Sequence, residues 1–165
     1  MQNAKDLGDD ARPPTFLLCG YPGSGKSIQA WTLPGRKFGY VFDPNTLPTW
    51  RGLDIDYEVY LPEPGDKSLS AVPLSNKARA DRPIRKKEPL TYKKWENDFD
   101  LKHEKGFFSG YDWIIFDSFT GFLDISMDRI LFLNGRLGKQ PEQADWGAQV
   151  NVVTNVARNL AGYNV

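Results

Sequence analysis

The chain has 165 residues, 40% of them hydrophobic and 25% charged, which suits one globular domain and excludes wholesale disorder. Lysine plus arginine and aspartate plus glutamate both total 21, so there is no overall basic surplus to indicate nucleic acid. A single cysteine, Cys19, excludes a disulfide framework within these residues and favours a reducing compartment. The first ten residues lack a signal-peptide core and no stretch approaches 18 apolar residues, so we expect a soluble, cytoplasmic protein without a membrane partner.

Residues 20–27 read GYPGSGKS and fit the phosphate-binding pattern G-x-x-x-x-G-K-[ST] at every fixed position. The apolar residues 16–19 before it predict a strand that buries Cys19, and residues 28–33 after it predict a helix. A strand, a loop and a helix in this order predict the fold element that binds nucleotide phosphates. The alternative is a glycine-rich turn that carries a solvated lysine.

The chemistry of this loop assigns each residue a role. Backbone N–H groups from Gly23 to Ser27 can point into one concavity and hold a β-phosphate, with Gly23 and Gly25 allowing close approach. Lys26 would reach the β- and γ-phosphates, and the Ser27 hydroxyl would ligate Mg²⁺. The motif therefore predicts a nucleoside triphosphate and Mg²⁺ as ligands, bound by Gly20, Tyr21, Pro22, Gly23, Ser24, Gly25, Lys26, Ser27 and Ile28.

Two further strands are predicted before the middle of the chain. Residues 37–43 (KFGYVFD) form an apolar run that ends in the acid Asp43, as expected of a buried strand. Residues 55–61 (IDYEVYL) alternate apolar and polar side chains, which is typical of a half-exposed strand at a sheet edge.

Residues 62–89 have a different character and predict an excursion loop, because they hold five of the twelve prolines. The loop also carries a basic cluster: Lys77, Arg79, Arg82, Arg85, Lys86 and Lys87. Clustered basic side chains can neutralise the phosphates of single-stranded DNA. A solvated segment whose charge only maintains solubility explains the same composition, and both interpretations stay open.

The rest of the chain predicts three helices and one more strand. Residues 91–105 can form a helix with an apolar stripe of Tyr92, Trp95, Phe99 and Leu101. Residues 111–117 (YDWIIFD) form a near-continuous apolar run, which is typical of a parallel strand covered on both faces. Ser118 can cap the next helix, which ends near Asn134, Gly135 and Gly138. A last helix over residues 142–160 has an apolar side formed by Trp146, Val150, Val153, Ala157 and Leu160.

Asp117 ends the apolar strand about 90 residues after the phosphate-binding loop. Open α/β sheets gather their ligands at the carboxyl edge of the strands, so Asp117 could hold Mg²⁺ through water on the side opposite Ser27. The alternative is that its carboxylate only caps the helix that follows.

Three segments together, GYPGSGKS, KFGYVFDPN and YDWIIFDSFTGFLD, resemble the RecA-like P-loop ATPases of tailed phages that are associated with single-strand annealing and recombination. The resemblance covers the chain from about Thr15 to its end. Asp117 is followed by Ser118 and not by Glu, and this feature is similar to that of RecA-like proteins. It implies one partial RecA-like P-loop NTPase domain over residues 1–165, an α/β fold with a mostly parallel sheet flanked by helices. It also implies Mg²⁺-dependent ATP hydrolysis in DNA recombination in the host cytoplasm, with a homo-oligomer or a recombination partner.

Two departures from that family leave alternatives open. The family's catalytic glutamate beyond the second strand is absent, which leaves Asp43 either to orient the attacking water or to act only as a strand-end acid. The strand that the family places between the loop strand and the Asp117 strand would begin at about Asn164, so we expect an incomplete core. A kinase would instead pair those two strands directly and use Arg79, Arg82 and Arg85 in a lid. A non-catalytic nucleotide-binding remnant is the other alternative.

Overall fold

The structure is a computed structural model, and it describes residues 15–21, 23–62 and 87–161. Three parallel strands form one sheet: β1 (Lys37–Val41), β2 (Asp56–Val59) and β3 (Trp113–Asp117). The order is β2-β1-β3, with both partners of β1 parallel to it. The predictions of these three strands and of β2 at a sheet edge are therefore confirmed.

Five α-helices surround this sheet in the described part of the chain. They are α1 (Lys26–Gln29), α2 (Thr46–Trp50), α3 (Thr91–Glu104), α4 (Phe119–Leu133) and α5 (Gln143–Ala161), with 3₁₀ turns at Ala30–Thr32 and Phe107–Gly110. The predicted cap of α4 is confirmed, because the Gly121 N–H donates to the Ser118 hydroxyl oxygen over 3.1 Å. None of these helices is long and apolar enough to cross a membrane.

One face of the sheet carries an aromatic core. Phe38, Tyr40 and Phe42 alternate along β1 and its extension, so all three side chains point to the same side. The buried side chains that pack with them come mainly from α3, α4 and the segment before β3: Tyr92, Trp95, Phe99, Phe108, Tyr111, Phe122 and Ile125. The predicted stripe of α3 is confirmed except at Leu101, which is half exposed.

The opposite face carries a smaller aliphatic cluster. Val41 of β1 packs there with Ala30, Trp50 and Ile55, and Ile115 of β3 lies against the same group. These residues bring α1 and α2 onto this face, so the described chain forms three layers with the sheet in the middle.

The predicted apolar side of α5 is wrong at Trp146, Val150 and Ala157, which are exposed, and is confirmed at Val153 and Leu160, which pack against the aromatic core. Trp146 is 53% exposed and Val150 is 63% exposed, whereas Asp145 and Gln149 are buried. The Gln149 amide nitrogen donates to the Leu123 carbonyl over 2.6 Å, so a polar side chain faces α4 where an apolar one was expected.

A buried carboxylate sets this rotation of α5. Asp145 accepts hydrogen bonds from the Asn134 amide over 2.8 Å and from the Glu142 N–H over 2.7 Å, and it forms an ion pair with Arg136. Burial alone would raise the pKa of Asp145, but these donors hold it below its usual value. A periodicity based on apolar residues does not detect such an anchor.

A polar network fastens α3 to the edge of the sheet. The buried Lys102 ammonium donates to Glu58 over 2.7 Å and forms an ion pair with Asp98. The Tyr40 hydroxyl donates to Asp98 over 3.2 Å and the Tyr60 hydroxyl to Glu58 over 2.8 Å. Burial and these carboxylates raise the pKa of both tyrosines well above the usual range, so both stay neutral donors.

The first turn of α4 approaches β1 so closely that only glycine fits at position 121. A Cβ on Gly121 would lie 2.5 Å from the Phe42 carbonyl oxygen. We expect Gly121→Ala to lower the free energy of unfolding by about 1 to 3 kcal/mol, because the backbone of β1 or α4 must shift. Urea denaturation measures this change.

Gly147→Ala is the matched control, since a Cβ on that exposed glycine of α5 meets nothing within 4 Å. It should stabilise the protein by up to about 1 kcal/mol through helix propensity. If both alanine variants gave the same stability change, the tight contact of α4 with β1 would be refuted.

Stability should depend on pH through Asp98. Burial alone would raise the pKa of Asp98, but hydrogen bonds, first that from Lys102, hold it below its usual value. A depressed folded-state pKa stabilises the protein above the unfolded value of about 4, and this stabilisation is lost as the pH falls through the folded value.

We therefore expect Asp98→Asn to destabilise the protein by about 1 to 3 kcal/mol at pH 7, and by progressively less below about pH 4. Urea unfolding at a series of pH values measures the difference. Asp100→Asn, on the exposed side of the same helix, should cost little at any pH. If Asp98→Asn destabilised the protein equally at every pH, the lowered pKa of Asp98 in the folded protein would be refuted.

Candidate functional site

The loop of residues 20–27 is bent at its two central glycines. Gly23 and Gly25 have φ angles of 79° and 83°, in the left-handed region that side chains disfavour. The Ser24 N–H donates to the Tyr21 carbonyl over 3.1 Å, which closes a turn, and Gly25 directly precedes α1. The glycines of the motif thus stand where the backbone requires them.

The Lys26 side chain folds back over this loop. Its ammonium donates to the carbonyl oxygens of Gly20 over 2.8 Å and of Tyr21 over 2.9 Å. The positive charge therefore lies against the first residues of the loop, and no carboxylate forms a salt bridge with it among the described residues.

The helix after the loop is shorter than predicted. The α-helix α1 spans four residues and continues as a 3₁₀ turn over Ala30–Thr32. The indole N–H of Trp50 donates to the Ser27 carbonyl oxygen over 3.0 Å. A side chain of α2 thus bonds to the backbone of this short helix.

The predicted strand over residues 16–19 is wrong in the structure. These residues belong to no strand, and Phe16 and Leu17 are 67% and 69% exposed. Cys19 is also exposed, which contradicts the predicted buried thiol. An apolar segment becomes a strand only when a neighbouring strand satisfies its backbone groups. In the described part of the chain, β3 pairs only with β1, and the direct pairing expected of a kinase is not formed.

Asp117 lies at the carboxyl end of β3, opposite Val41 of β1. It is two residues after Ile115, which packs toward α1 and α2, so alternation along the strand places Asp117 on the same face as α1. The peptide bond between Asp117 and Ser118 is cis. One carboxylate oxygen of Asp117, Oδ2, is buried without a hydrogen-bond partner in the described structure.

This unpartnered oxygen fits the Mg²⁺ that the motif implies. A buried carboxylate oxygen without a donor is costly unless a cation or water reaches it. The described residues contain no cluster of three or more His, Cys, Asp or Glu side chains for a metal. Mg²⁺ commonly takes one or two carboxylates and completes its shell with water and phosphate oxygens, so Ser27 and Asp117 are an adequate protein contribution.

Asp43 follows β1 and serves a local turn. Its Oδ1 accepts hydrogen bonds from the Asn45 N–H over 2.8 Å and from the Asn45 side-chain amide over 2.9 Å. These bonds fix the chain as it enters α2, as the strand-end interpretation of Asp43 expects. The role of Asp43 toward a water molecule stays a prediction.

The described residues that flank the predicted basic loop contact each other. The Thr91 hydroxyl donates to the Leu61 carbonyl over 3.1 Å, beyond the carboxyl end of β2. In a parallel sheet this is the edge at which Asp117 also lies. Lys87 of the basic cluster is exposed. The other members lie outside the described residues: Lys77, Arg79, Arg82, Arg85 and Lys86. Pro22 of the phosphate-binding loop also lies outside them.

Neither the motif nor the apolar periodicity predicts the contact that supports the loop. A Cβ on Gly39 of β1 would lie 2.4 Å from Cζ3 of Trp50, so the glycine makes room for the indole that bonds to Ser27. The available signal was a glycine inside an apolar strand, which often marks the close approach of another group.

Comparison of the chain with profiles of protein families, with characterised proteins and with solved structures found no match.

The unpartnered oxygen of Asp117 leads to a test that separates a metal ligand from a helix cap. We expect Asp117→Asn to leave the free energy of unfolding unchanged or to raise it by about 1 kcal/mol without Mg²⁺, because a buried carboxylate becomes a neutral amide. The same variant should lose the Mg²⁺ dependence of nucleotide affinity.

Chemical denaturation and calorimetric titration with ADP, each with and without Mg²⁺, measure these effects. Ser118→Ala removes the observed cap and should instead destabilise the protein by about 1 kcal/mol. Strong destabilisation of Asp117→Asn with an intact Mg²⁺ effect would assign Asp117 to structure alone.

Proposed function

We propose that the chain binds Mg²⁺·ATP at the loop of residues 20–27 and hydrolyses it as a RecA-like P-loop ATPase. The observation that carries the proposal is one charge arrangement. The Lys26 ammonium lies over a loop bent at two left-handed glycines, and a buried carboxylate oxygen of Asp117 without a partner lies on the same face of the sheet as α1. The loop suits an anion and the carboxylate suits a cation, as in a metal–nucleotide complex.

Each residue then has a defined task. The N–H groups of Gly23, Gly25, Lys26 and Ser27 bind phosphate oxygens, while the Ser24 N–H keeps its turn bond to the Tyr21 carbonyl. Lys26 exchanges its bonds to the Gly20 and Tyr21 carbonyls for bonds to the β- and γ-phosphates. The Ser27 hydroxyl and Asp117 hold the metal, which neutralises charge on the phosphates when it is bound. Positioning and charge neutralisation supply most of the catalysis in phosphoryl transfer.

The described sheet differs from the kinase expectation at one point. A kinase would pair residues 16–19 directly with β3, and this pairing is absent from the described sheet. The RecA-like arrangement also expects residues 16–19 to form a strand, so this absence counts against direct pairing without identifying the sheet as RecA-like.

The DNA part of the proposal is supported by the resemblance and by the position of the excursion. Residues 62–89 carry the basic cluster, and their two ends meet at the carboxyl edge of the sheet, where the nucleotide would bind. We propose single-stranded DNA as its ligand in phage recombination or repair in the host cytoplasm, with a homo-oligomer or a recombination protein as partner.

Nucleotide binding without turnover is the second candidate, and Asp43 favours it. Its Oδ1 is engaged by Asn45, and no glutamate stands in the equivalent stretch to activate water. A site that lacks a general base can still bind Mg²⁺·ATP tightly.

The central experiment measures ATP affinity by calorimetry and phosphate release with and without single-stranded DNA. We expect Lys26→Ala to weaken Mg²⁺·ATP binding at least about tenfold, because a charge-assisted contact to phosphate is lost. Lys37→Ala is the matched control. The Lys37 ammonium also donates to a nearby carbonyl, that of Gly35 over 2.9 Å, and it lies at the amino end of β1.

The outcomes separate the candidates. DNA-stimulated phosphate release that Lys26→Ala abolishes supports the ATPase, and tight binding without release supports the second candidate. If the parent and Lys26→Ala bound ATP equally well, or neither bound it, the proposed site would be wrong.

A further inference from the structure

We infer that Trp50 is a positioning residue for the phosphate-binding loop: its indole N–H orients the Ser27–Ile28 peptide unit toward the bound phosphates. This inference rests on the proposed nucleotide site. Nothing in the GYPGSGKS motif predicts it, because Trp50 is more than twenty residues away and belongs to α2.

The indole of Trp50 is held rigidly. The side chain is 4% exposed and packs with Ala30, Val41 and Ile55. The six-membered ring of the indole lies directly over Gly39, where a Cβ would come within 2.4 Å of it. A donor fixed in this way by the sheet can hold its acceptor in one position.

The acceptor is the carbonyl of Ser27 in the first turn of α1, at an N–O distance of 3.0 Å. In a helix the C=O groups point toward the carboxyl end and the N–H groups toward the amino end. Because a peptide unit is planar, fixing the Ser27 C=O also fixes the N–H of Ile28, which points back toward the loop. The same bond constrains the backbone that carries the Ser27 hydroxyl.

The short α1 gives this single bond its importance. The α-helix ends after four residues and becomes a 3₁₀ turn, so regular hydrogen bonds over further turns do not hold its first peptide units. Trp50 supplies that constraint from α2. Donation to the carbonyl also polarises the peptide and strengthens its N–H as a donor to an anion.

Trp50→Phe tests the inference, since phenylalanine keeps much of the ring over Gly39 and removes the N–H. We expect it to weaken Mg²⁺·ADP binding by about threefold to tenfold, the effect of one hydrogen bond, in isothermal titration of the full chain. Trp113→Phe is the matched control, because the Trp113 indole also donates to a backbone carbonyl, that of Pro34 over 2.8 Å, away from the loop. It should bind Mg²⁺·ADP like the parent.

A second measurement does not depend on how stable the variant is. In the parent, the indole ¹H–¹⁵N signal of Trp50, assigned through the backbone resonances of the isotope-labelled parent protein, should shift when Mg²⁺·ADP is added. The indole signal of Trp113, assigned in the same way, should stay in place. An unmoved Trp50 signal would contradict the positioning role.

The outcomes distinguish this inference from the proposed function. If Trp50→Phe bound Mg²⁺·ADP with the affinity of the parent, the positioning role would be overturned and the nucleotide site would stand. The same holds if the parent bound Mg²⁺·ADP and its Trp50 signal did not move. If the parent did not bind Mg²⁺·ADP or Mg²⁺·ATP, the nucleotide site would fail and the inference with it. If Trp50→Phe did not fold, the shift of the two indole signals in the parent would decide.

Discussion

The alternation of side chains along β1 determines what packs on each face of the sheet. Phe38, Tyr40 and Phe42 project to one face and nucleate the aromatic core with α3 and α4. Gly39 and Val41 project to the other face, where the missing side chain of the glycine admits the Trp50 indole. One strand thus separates a thick layer that stabilises the domain from a thin layer that supports the loop.

The sequence predicted most of the architecture because its apolar periodicity is strong. Local patterns predict the three strands and their parallel pairing, the long helices and the Ser118 cap, and tertiary contacts reinforce these patterns. The rotation of α5 could not be predicted in this way, because the buried Asp145 and its donors fix the helix against the apolar pattern of Trp146 and Val150.

The candidate site was only partly predictable. The left-handed bends at Gly23 and Gly25 follow from the motif, because this backbone conformation requires glycine, whereas the bonds of Lys26 to the Gly20 and Tyr21 carbonyls do not. The strand over residues 16–19 was wrong, since an apolar run forms a strand only when a ladder partner is present. The support of α1 by Trp50 is a contact between distant residues that no periodicity encodes.

The fold-back of Lys26 has a consequence for how any ligand enters the loop. The ammonium already donates hydrogen bonds to the Gly20 and Tyr21 carbonyls. An arriving anion must compete with these two dipoles, but it meets a side chain whose rotamers are already restricted. Selectivity then comes from charge, since a neutral molecule offers the ammonium no gain over its internal acceptors, whereas a multiply charged oxyanion does.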